Sequence, residues 1–306
     1  MDEQQSKAPS GVTAALVITL IAGSGEPGLA KIVAALAGAL PLADAPAWLT
    51  ADTACDLVVG DGDAASLEAI ARRTIGGAAI DVLVQPLAGR RKRVLVADLE
   101  STIIENEMLE ELADFVGLRA HVADITRRAM NGELDFAAAL AERVGLLKDL
   151  PASVLEEAVG RIRLTPGART LVATARAAGT CTVLVSGGFT VFAERVAAEL
   201  GFDRVVANRL DIAGGRIAGT VREPIVTGET KRATLLGLAA ELGVAPAATL
   251  AVGDGANDLP MLQAAGLGIA FRAKPAVAAA SRWRIDHADL KALLYAQGYR
   301  RGDFRD

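Results

Sequence analysis

Two acids one residue apart, Asp98 and Glu100, follow directly on the apolar run VLVA in Asp98-Leu99-Glu100-Ser101-Thr102. In an extended strand running into a loop, residues i and i+2 point the same way, so both carboxylates would face one pocket. One could attack an electrophile while the other moves protons. Taken alone, the pattern reads more simply as a strand-end turn with solvated acids. A second group is Ser186-Gly187-Gly188-Phe189. A hydroxyl followed by two glycines lets backbone N–H groups approach an anion at a helix N-terminus, although a tight strand-to-helix turn needs the same residues. A third, Gly228-Glu229-Thr230-Lys231, opens a helix whose apolar face is Leu235, Leu236 and Leu238. Near a phosphate its lysine would serve as a point cation, and elsewhere as a surface charge. The fourth, Gly253-Asp254-Gly255-Ala256-Asn257-Asp258, sets two acids and an amide on a glycine-rich turn. That donor set suits a hard cation that keeps positions for water and phosphate. The spacing is not that of an EF-hand, and no P-loop pattern occurs.

The elements that would position these groups follow from the β-rich runs VLVAD, TVLVSG and TLAVGD, each ending in a polar or glycine residue. Asp98, Ser186 and Asp254 thereby fall at strand C-termini. In a parallel, doubly wound sheet those ends converge on one crevice, so separated motifs can build one site. The expected fold class is α/β, a Rossmann-like core from residue 90 onward. The first 89 residues read as strand VTAALVITLIA, turn GSGEPG, helix LAKIVAALAGAL, strand CDLVV, helix around SLEAIARR and strand AAIDVLVQPL. The turn also fits G-x-G-x-x-G at Gly23, Gly25 and Gly28, with Asp44 downstream as a ribose partner. Against a dinucleotide site, so short a segment supplies too few βα units.

Composition narrows the function classes. Of 306 residues, 52% are hydrophobic and 23% charged, which excludes a disordered or fibrous chain. Aromatic residues make up only 4%, too few for a base-stacking platform, and the net charge of −5 gives no general attraction to nucleic acid or anionic membrane. Residues 1–89 hold four basic and ten acidic side chains, whereas the rest hold 28 and 27, an asymmetry that suggests a boundary near residue 89 and a separate core on each side. The basic run Gly89-Arg90-Arg91-Lys92-Arg93 between them reads as a solvated entry to the sheet. Cys55 and Cys181 lack metal spacing and are expected as reduced thiols. Neither His121 nor His287 has a partner at ligand spacing. The apolar stretch Val12 to Ala22 is too short to span a bilayer, and the leader carries Asp2 and Glu3 against Lys7, so a cytoplasmic location is expected.

The four motifs, in this order, resemble those of the haloacid dehalogenase superfamily of aspartyl-phosphate phosphotransferases. Within it, ENEMLEELA, ITRRAMNGELDFAAALAERVGLLKDLP, TPGA, VSGGF, ANRL, GETK and AVGDGAND are similar to segments of its phosphoserine phosphatases, over about Val94 to Leu294. The resemblance implies a helical cap inserted at about 105–163 and hydrolysis of O-phospho-L-serine, the last step of serine biosynthesis. By the same resemblance Asp98 is the nucleophile and Glu100 the general acid and base. Mg²⁺ would be held by Asp98, the carbonyl of Glu100 and Asp254, with Asp258 and Asn257 orienting the metal and phosphate shells. Ser186, Gly187 and Lys231 would grip the phosphoryl oxygens, supported by Thr102 and Gly188. Glu107 would meet the substrate amine, Arg143 its carboxylate, and Met130 and Phe136 would form an apolar lid. The departure is Glu100, where the family pattern has aspartate, so that the acid stands one C–C bond farther from the backbone. Two alternatives remain: a phosphatase or phosphotransferase for another small phosphomonoester, and a phosphoserine-binding regulator with weak turnover. The front segment resembles a degenerate ACT-like module. The expected partner is a small phosphomonoester, with room for a homodimer and none for nucleic acid or membrane.

Overall fold

The computed structural model describes residues 15–306, so Val12 to Ala14 of the first expected strand, and the leader, lie outside the described residues. The front segment runs β1 (Leu16–Ala22), α1 (Leu29–Ala39), β2 (Ala47–Thr50), β3 (Ala54–Val59), α2 (Ala64–Ile75) and β4 (Ile80–Pro86). Its sheet has the order β2-β3-β1-β4 and every pairing is antiparallel, the split β-α-β pattern of ferredoxin-like folds. All of β1 is buried because both faces are covered, which is why its sequence is apolar without alternation. Leu16, Ile18 and Leu20 pack under α1 and α2, while Ile21 packs toward the larger part. The four-residue edge strand β2 was not expected, being too short and too rich in flanking alanine and proline to show a period.

The antiparallel neighbours of β1 also dispose of the dinucleotide reading, since that fingerprint needs a parallel βαβ unit. Gly25, at φ +79°, makes the left-handed turn, and Glu26 closes it by accepting hydrogen bonds from the N–H groups of Gly28 (3.2 Å) and Ala79 (2.9 Å). Asp44 is exposed.

The larger part is a seven-stranded sheet of β5 (Val94–Ala97), β6 (Cys181–Phe189), β7 (Arg204–Ala213), β8 (Arg216–Arg222), β9 (Thr249–Gly253), β10 (Leu267–Phe271) and β11 (Trp283–Ile285). The order is β11-β10-β9-β5-β6-β7-β8, parallel throughout except for the β7-β8 hairpin. Between β5 and β6 the chain makes a helical insertion of α3 (Met108–Asp114), α4 (Arg119–Met130), α5 (Phe136–Gly145) and α6 (Val154–Val159), and then α7 (Ala168–Ala177). The insertion is closed at its base, where Ile104 bridges Leu164 and the Glu105 N–H donates to the Arg163 carbonyl at 2.8 Å. Met108, Leu109 and Leu112 bury one face of α3. Val116 lies past the helix end and is 39% exposed. The remaining helices are α8 (Thr190–Leu200), α9 (Gly228–Glu241), α10 (Leu259–Ala264), α11 (Pro275–Ala280) and α12 (Ala292–Ala296). Among the described residues no helix is long and apolar enough to cross a membrane.

The two sheets meet along a buried seam. Ile21, Leu49, Ala54 and Leu83 share one apolar cluster with Leu294 and Tyr295, and the Trp283 indole N–H donates to the Val84 carbonyl at 2.9 Å. Asp81, buried at the seam, accepts from the backbone N–H groups of Asp286 (2.8 Å), His287 (3.2 Å) and Ala288 (2.9 Å). Burial pushes its pKa up in spite of those donors. Part of the basic run belongs to this seam, while Arg91 and Arg93 stay exposed as expected. Arg90 pairs with the buried Asp56 at 2.5 Å, Arg91 lies over the Tyr299 ring, and the Lys92 ammonium donates to the carbonyls of Gly89 and Ala247. The front sheet has an apolar cluster of its own, and the chain also buries a common face between the two sheets.

Asp81→Ala leaves three backbone donors without an acceptor, and an unmet buried donor costs about 1 to 3 kcal/mol. The expected loss is about 3 kcal/mol in urea unfolding, and an unchanged midpoint would show that the seam does not need this carboxylate.

Candidate active site

The site lies over the C-terminal ends of β5, β6, β9 and β10, beneath the helical insertion. A cavity there is lined by Asp98, Glu100, Glu107, Leu109, Met130, Phe136, Arg143, Gly187, Asp254 and Asn257. Asp98 follows the last residue of β5, and its N–H stays in the ladder, donating to Val252 at 2.9 Å. Asp254 follows β9 in the same way. Ser186 stands differently from expectation: β6 continues to Phe189 and α8 starts only at Thr190, so the serine lies within the strand. The parallel ladder to β7 breaks after Val185 and resumes at Phe189, and in the gap Ser186 Oγ accepts the Gly188 N–H at 2.8 Å. Ser186, Gly188, Lys231, Asp258 and Thr102 stand behind the cavity wall rather than on it.

Lys231 organises that wall. Projecting from the first turn of α9, it is fully buried and bonds to Asp98 Oδ1 and, at 2.7 Å, to Asp258 Oδ1. Burial alone would strip its charge, but Asp258 and Asp98 outweigh burial and hold its pKa above the ordinary lysine value. The other oxygen of Asp258 accepts from the N–H groups of Asp254 (3.1 Å) and Gly255 (3.0 Å), which fixes the glycine-rich turn. Burial pushes the Asp98 carboxyl up from its ordinary value, and the Lys231 ammonium pulls it back.

The opposite wall comes from the insertion. Glu100 Oε1 accepts the Met108 N–H at 2.9 Å, tying the loop after β5 to the start of α3. A Cβ on Gly188 would come within 2.6 Å of Glu100 Oε2, so the absence of a side chain at 188 is what makes room for the longer acid. Glu107 accepts from Ser101 Oγ at 2.6 Å, a contact made possible by the left-handed backbone of Ser101 at φ +55°. Arg143 is 3% exposed, donates from Nε to the Ala139 carbonyl (3.0 Å) and from Nη1 to Thr126 Oγ1 (2.9 Å), and forms no ion pair among the described residues. Phe136 and Met130 close the top. A Cβ on Gly187 would meet Phe136 Cζ at 2.6 Å, and one on Gly255 would meet Met130 Sδ at 2.7 Å, so glycine at both places lets the lid approach the core.

The pattern of the haloacid dehalogenase-like hydrolases matches residues 95–263, from the strand that carries Asp98 to the turn that carries Asp258 and beyond. The chain belongs to this family. The phosphoserine phosphatase of Archaeoglobus fulgidus is 43% identical over 218 residues, 71% of this chain, and the chain spans only 63% of that relative's length. The phosphoserine phosphatase of Streptococcus thermophilus is 46% identical over 203 residues, which cover 66% of this chain and 94% of the relative. A solved haloacid dehalogenase family hydrolase from Salmonella enterica serovar Typhi superposes with a TM-score of 0.81 at 30% identity, over 92% of this chain and 98% of the other. So large a share takes in both sheets, and the seam between them is part of the likeness.

Haloacid dehalogenase-like phosphatases generally use a divalent metal, and the residues present fit one. Carboxylate oxygens of Asp98, Asp254 and Asp258 lie within 4.8 Å of one another. The buried Asn257 Oδ1 has no hydrogen-bond donor, and Asp254 Oδ2 has only the Lys274 ammonium beside it, which suits oxygens that a cation would hold. Sequence reasoning missed Lys274, whose Nζ stands 3.3 Å from Asp254 Oδ2 and whose N–H donates to the Asp254 carbonyl at 3.0 Å. The signal was available, because Lys274 follows the C-terminal end of another parallel strand, β10, at the same crevice. Asn208 was also missed as a support. It donates to the Gly187 carbonyl at 2.7 Å and accepts from the Val226 N–H at 2.7 Å, bracing the Ser-Gly-Gly segment.

Burial, together with neighbouring acids, pushes Glu100, Glu107 and Asp254 each up to about 7. Their unfolded values lie near 4, so the folded state binds more protons, and stability is lost as pH rises from about 4 through 7. A carboxylate held low, such as Glu111 at about 2, adds stability only until its unfolded counterpart ionises at about pH 5, and above that it does not offset the trend. In the presence of a chelator, unfolding free energy should fall by about 3 kcal/mol or more between pH 5 and pH 8. Millimolar divalent cation should recover it at pH 8, and a flat chelated profile would contradict the crowding of acids seen here.

Proposed function

We propose that this chain hydrolyses O-phospho-L-serine to L-serine and phosphate. The observation that carries the reading is Arg143. A buried guanidinium without an acid partner is costly unless a ligand supplies one, and this arginine opens into the same cavity as Asp98. An anionic group held there, across from the phosphoryl site and beside the acid Glu107, describes a phosphomonoester that also carries a carboxylate and an amine. The relatives named as phosphoserine phosphatases support the same substrate.

Asp98 attacks phosphorus to form an aspartyl-phosphate, which splits one hard displacement into two easier ones. Lys231 holds Asp98 in place and presents positive charge behind it. Glu100, with its pKa at about 7, is protonated often enough to donate to the departing serine oxygen and basic enough to take a proton from water afterwards. Asp98, Asp254 and the carbonyl of Glu100 would hold Mg²⁺, which when bound would supply Lewis-acid neutralisation of the phosphoryl oxygens. The N–H of Gly187 and the Asn257 side chain orient the phosphoryl group from the other side, and Ser186 braces that segment from behind through its bond to the Gly188 N–H. Glu107 meets the substrate amine, and Met130 with Phe136 excludes bulk water.

The test is phosphate release from phosphoserine and from p-nitrophenyl phosphate, each with Mg²⁺. A hydrogen bond to a charged group contributes about 1.5 to 3 kcal/mol, so Arg143→Ala should lower kcat/KM for phosphoserine roughly ten- to a hundredfold. It should leave the aryl phosphate within a few-fold. Equal losses on both substrates would mean that Arg143 only supports the insertion.

Glu100 gives a second test. Because Gly188 accommodates the longer side chain, Glu100→Asp should withdraw the carboxylate and slow kcat, and Glu100→Gln should slow it further. A glutamine variant as fast as wild type would remove the proton-transfer role.

A further inference from the structure

Arg143 faces a problem of its own site. Three carboxylates, Glu100, Glu107 and Glu110, act on it electrostatically, yet it pairs with none of them. A guanidinium on a flexible stem, 3% exposed and surrounded by acids, would ordinarily fold onto one of them. Two hydrogen bonds prevent this. Nε is taken by the Ala139 carbonyl on the arginine's own helix, which closes the side-on fork of Nε and Nη2 to any ligand. Nη1 is taken by Thr126 Oγ1 on the neighbouring helix α4, and Thr126 is itself only 3% exposed. The first bond anchors the stem, and the second fixes the rotation of the guanidinium plane. A carboxylate ligand must then be met by the outward Nη nitrogens.

We propose that Thr126 is the positioning residue for substrate selectivity: it holds Arg143 away from the acids of the site, so that the arginine reads the carboxylate of an amino-acid phosphomonoester. This rests on the functional reading above and deepens it. Thr126 does not line the cavity, and its effect passes wholly through Arg143. Removing the acceptor frees the guanidinium to turn toward Glu107. It would then occupy the acid that meets the amine and be lost to the carboxylate, while the phosphoryl chemistry at Asp98 stays as it was.

Thr126→Val keeps the side-chain shape and deletes the acceptor, Thr126→Ala deletes it without adding bulk at a new place, and Thr126→Ser retains it. Steady-state kinetics on phosphoserine and p-nitrophenyl phosphate, with melting temperatures as a check on folding, separate the outcomes. The valine and alanine variants should raise KM for phosphoserine roughly tenfold with kcat within about threefold, and leave both constants for the aryl phosphate unchanged. Thr126→Ser should restore the wild-type KM. Equal losses on both substrates, or no change on either, would overturn the assignment. A wild-type protein that turns over the aryl phosphate but not phosphoserine would overturn the functional reading, and this inference with it.

Discussion

A lysine ammonium buried without solvent must be surrounded by negative charge, and the core of this protein is arranged to meet that requirement. Lys231 bonds to Asp98 from β5 and to Asp258 from the turn after β9, and so links α9 to two parallel strands at once. Breaking one side of such a cluster leaves an uncompensated charge in the interior, which is far more costly than losing a surface pair. The same bonds leave Asp98 with an oxygen toward the cavity and leave Asp258 free to hold the Asp254 turn. Structural cohesion and chemical readiness therefore come from one set of contacts.

The second constraint is the mutual fit of insertion and core. Glycines at 187, 188 and 255 stand opposite Phe136, Glu100 and Met130, and at each a β-carbon would collide with the facing side chain. The glutamate at position 100 is accommodated in this way. The longer acid lies over Gly188 and takes its bond from Met108, the first residue of the helix that also follows Glu107. Burial, with the mutual repulsion of acids crowded into a closed space, lifts three of them to about 7.

Much of this was legible in the sequence because a parallel sheet obeys a simple rule: its strand ends share a crevice. Asp98 and Asp254 could be placed by apolar runs alone, and Lys231 by the helix it opens. Glu107, Arg143, Met130 and Phe136 carried no such signal and entered only through resemblance to a family. Contacts distant in sequence stayed hidden. The run Arg90 to Lys92 read locally as solvated charge, since its partners Asp56 and Ala247 lie 34 and 155 residues away. Thr126 and Asn208 were invisible for the same reason, each being an ordinary polar residue until the fold sets it beside an arginine or a carbonyl. The short strand β2 lacked the length that a periodic pattern requires.

The claim on which everything turns is that the oxygen of Asp98 held by Lys231 belongs to a nucleophile. The most direct measurement is phosphate release from phosphoserine in millimolar Mg²⁺ by wild type and by Asp98→Asn, with both shown to be folded by their melting curves. An amide cannot form the acyl phosphate, so the variant should be slower by roughly a thousandfold or more. Turnover within tenfold of wild type would contradict the nucleophilic role and leave the cluster as structure alone.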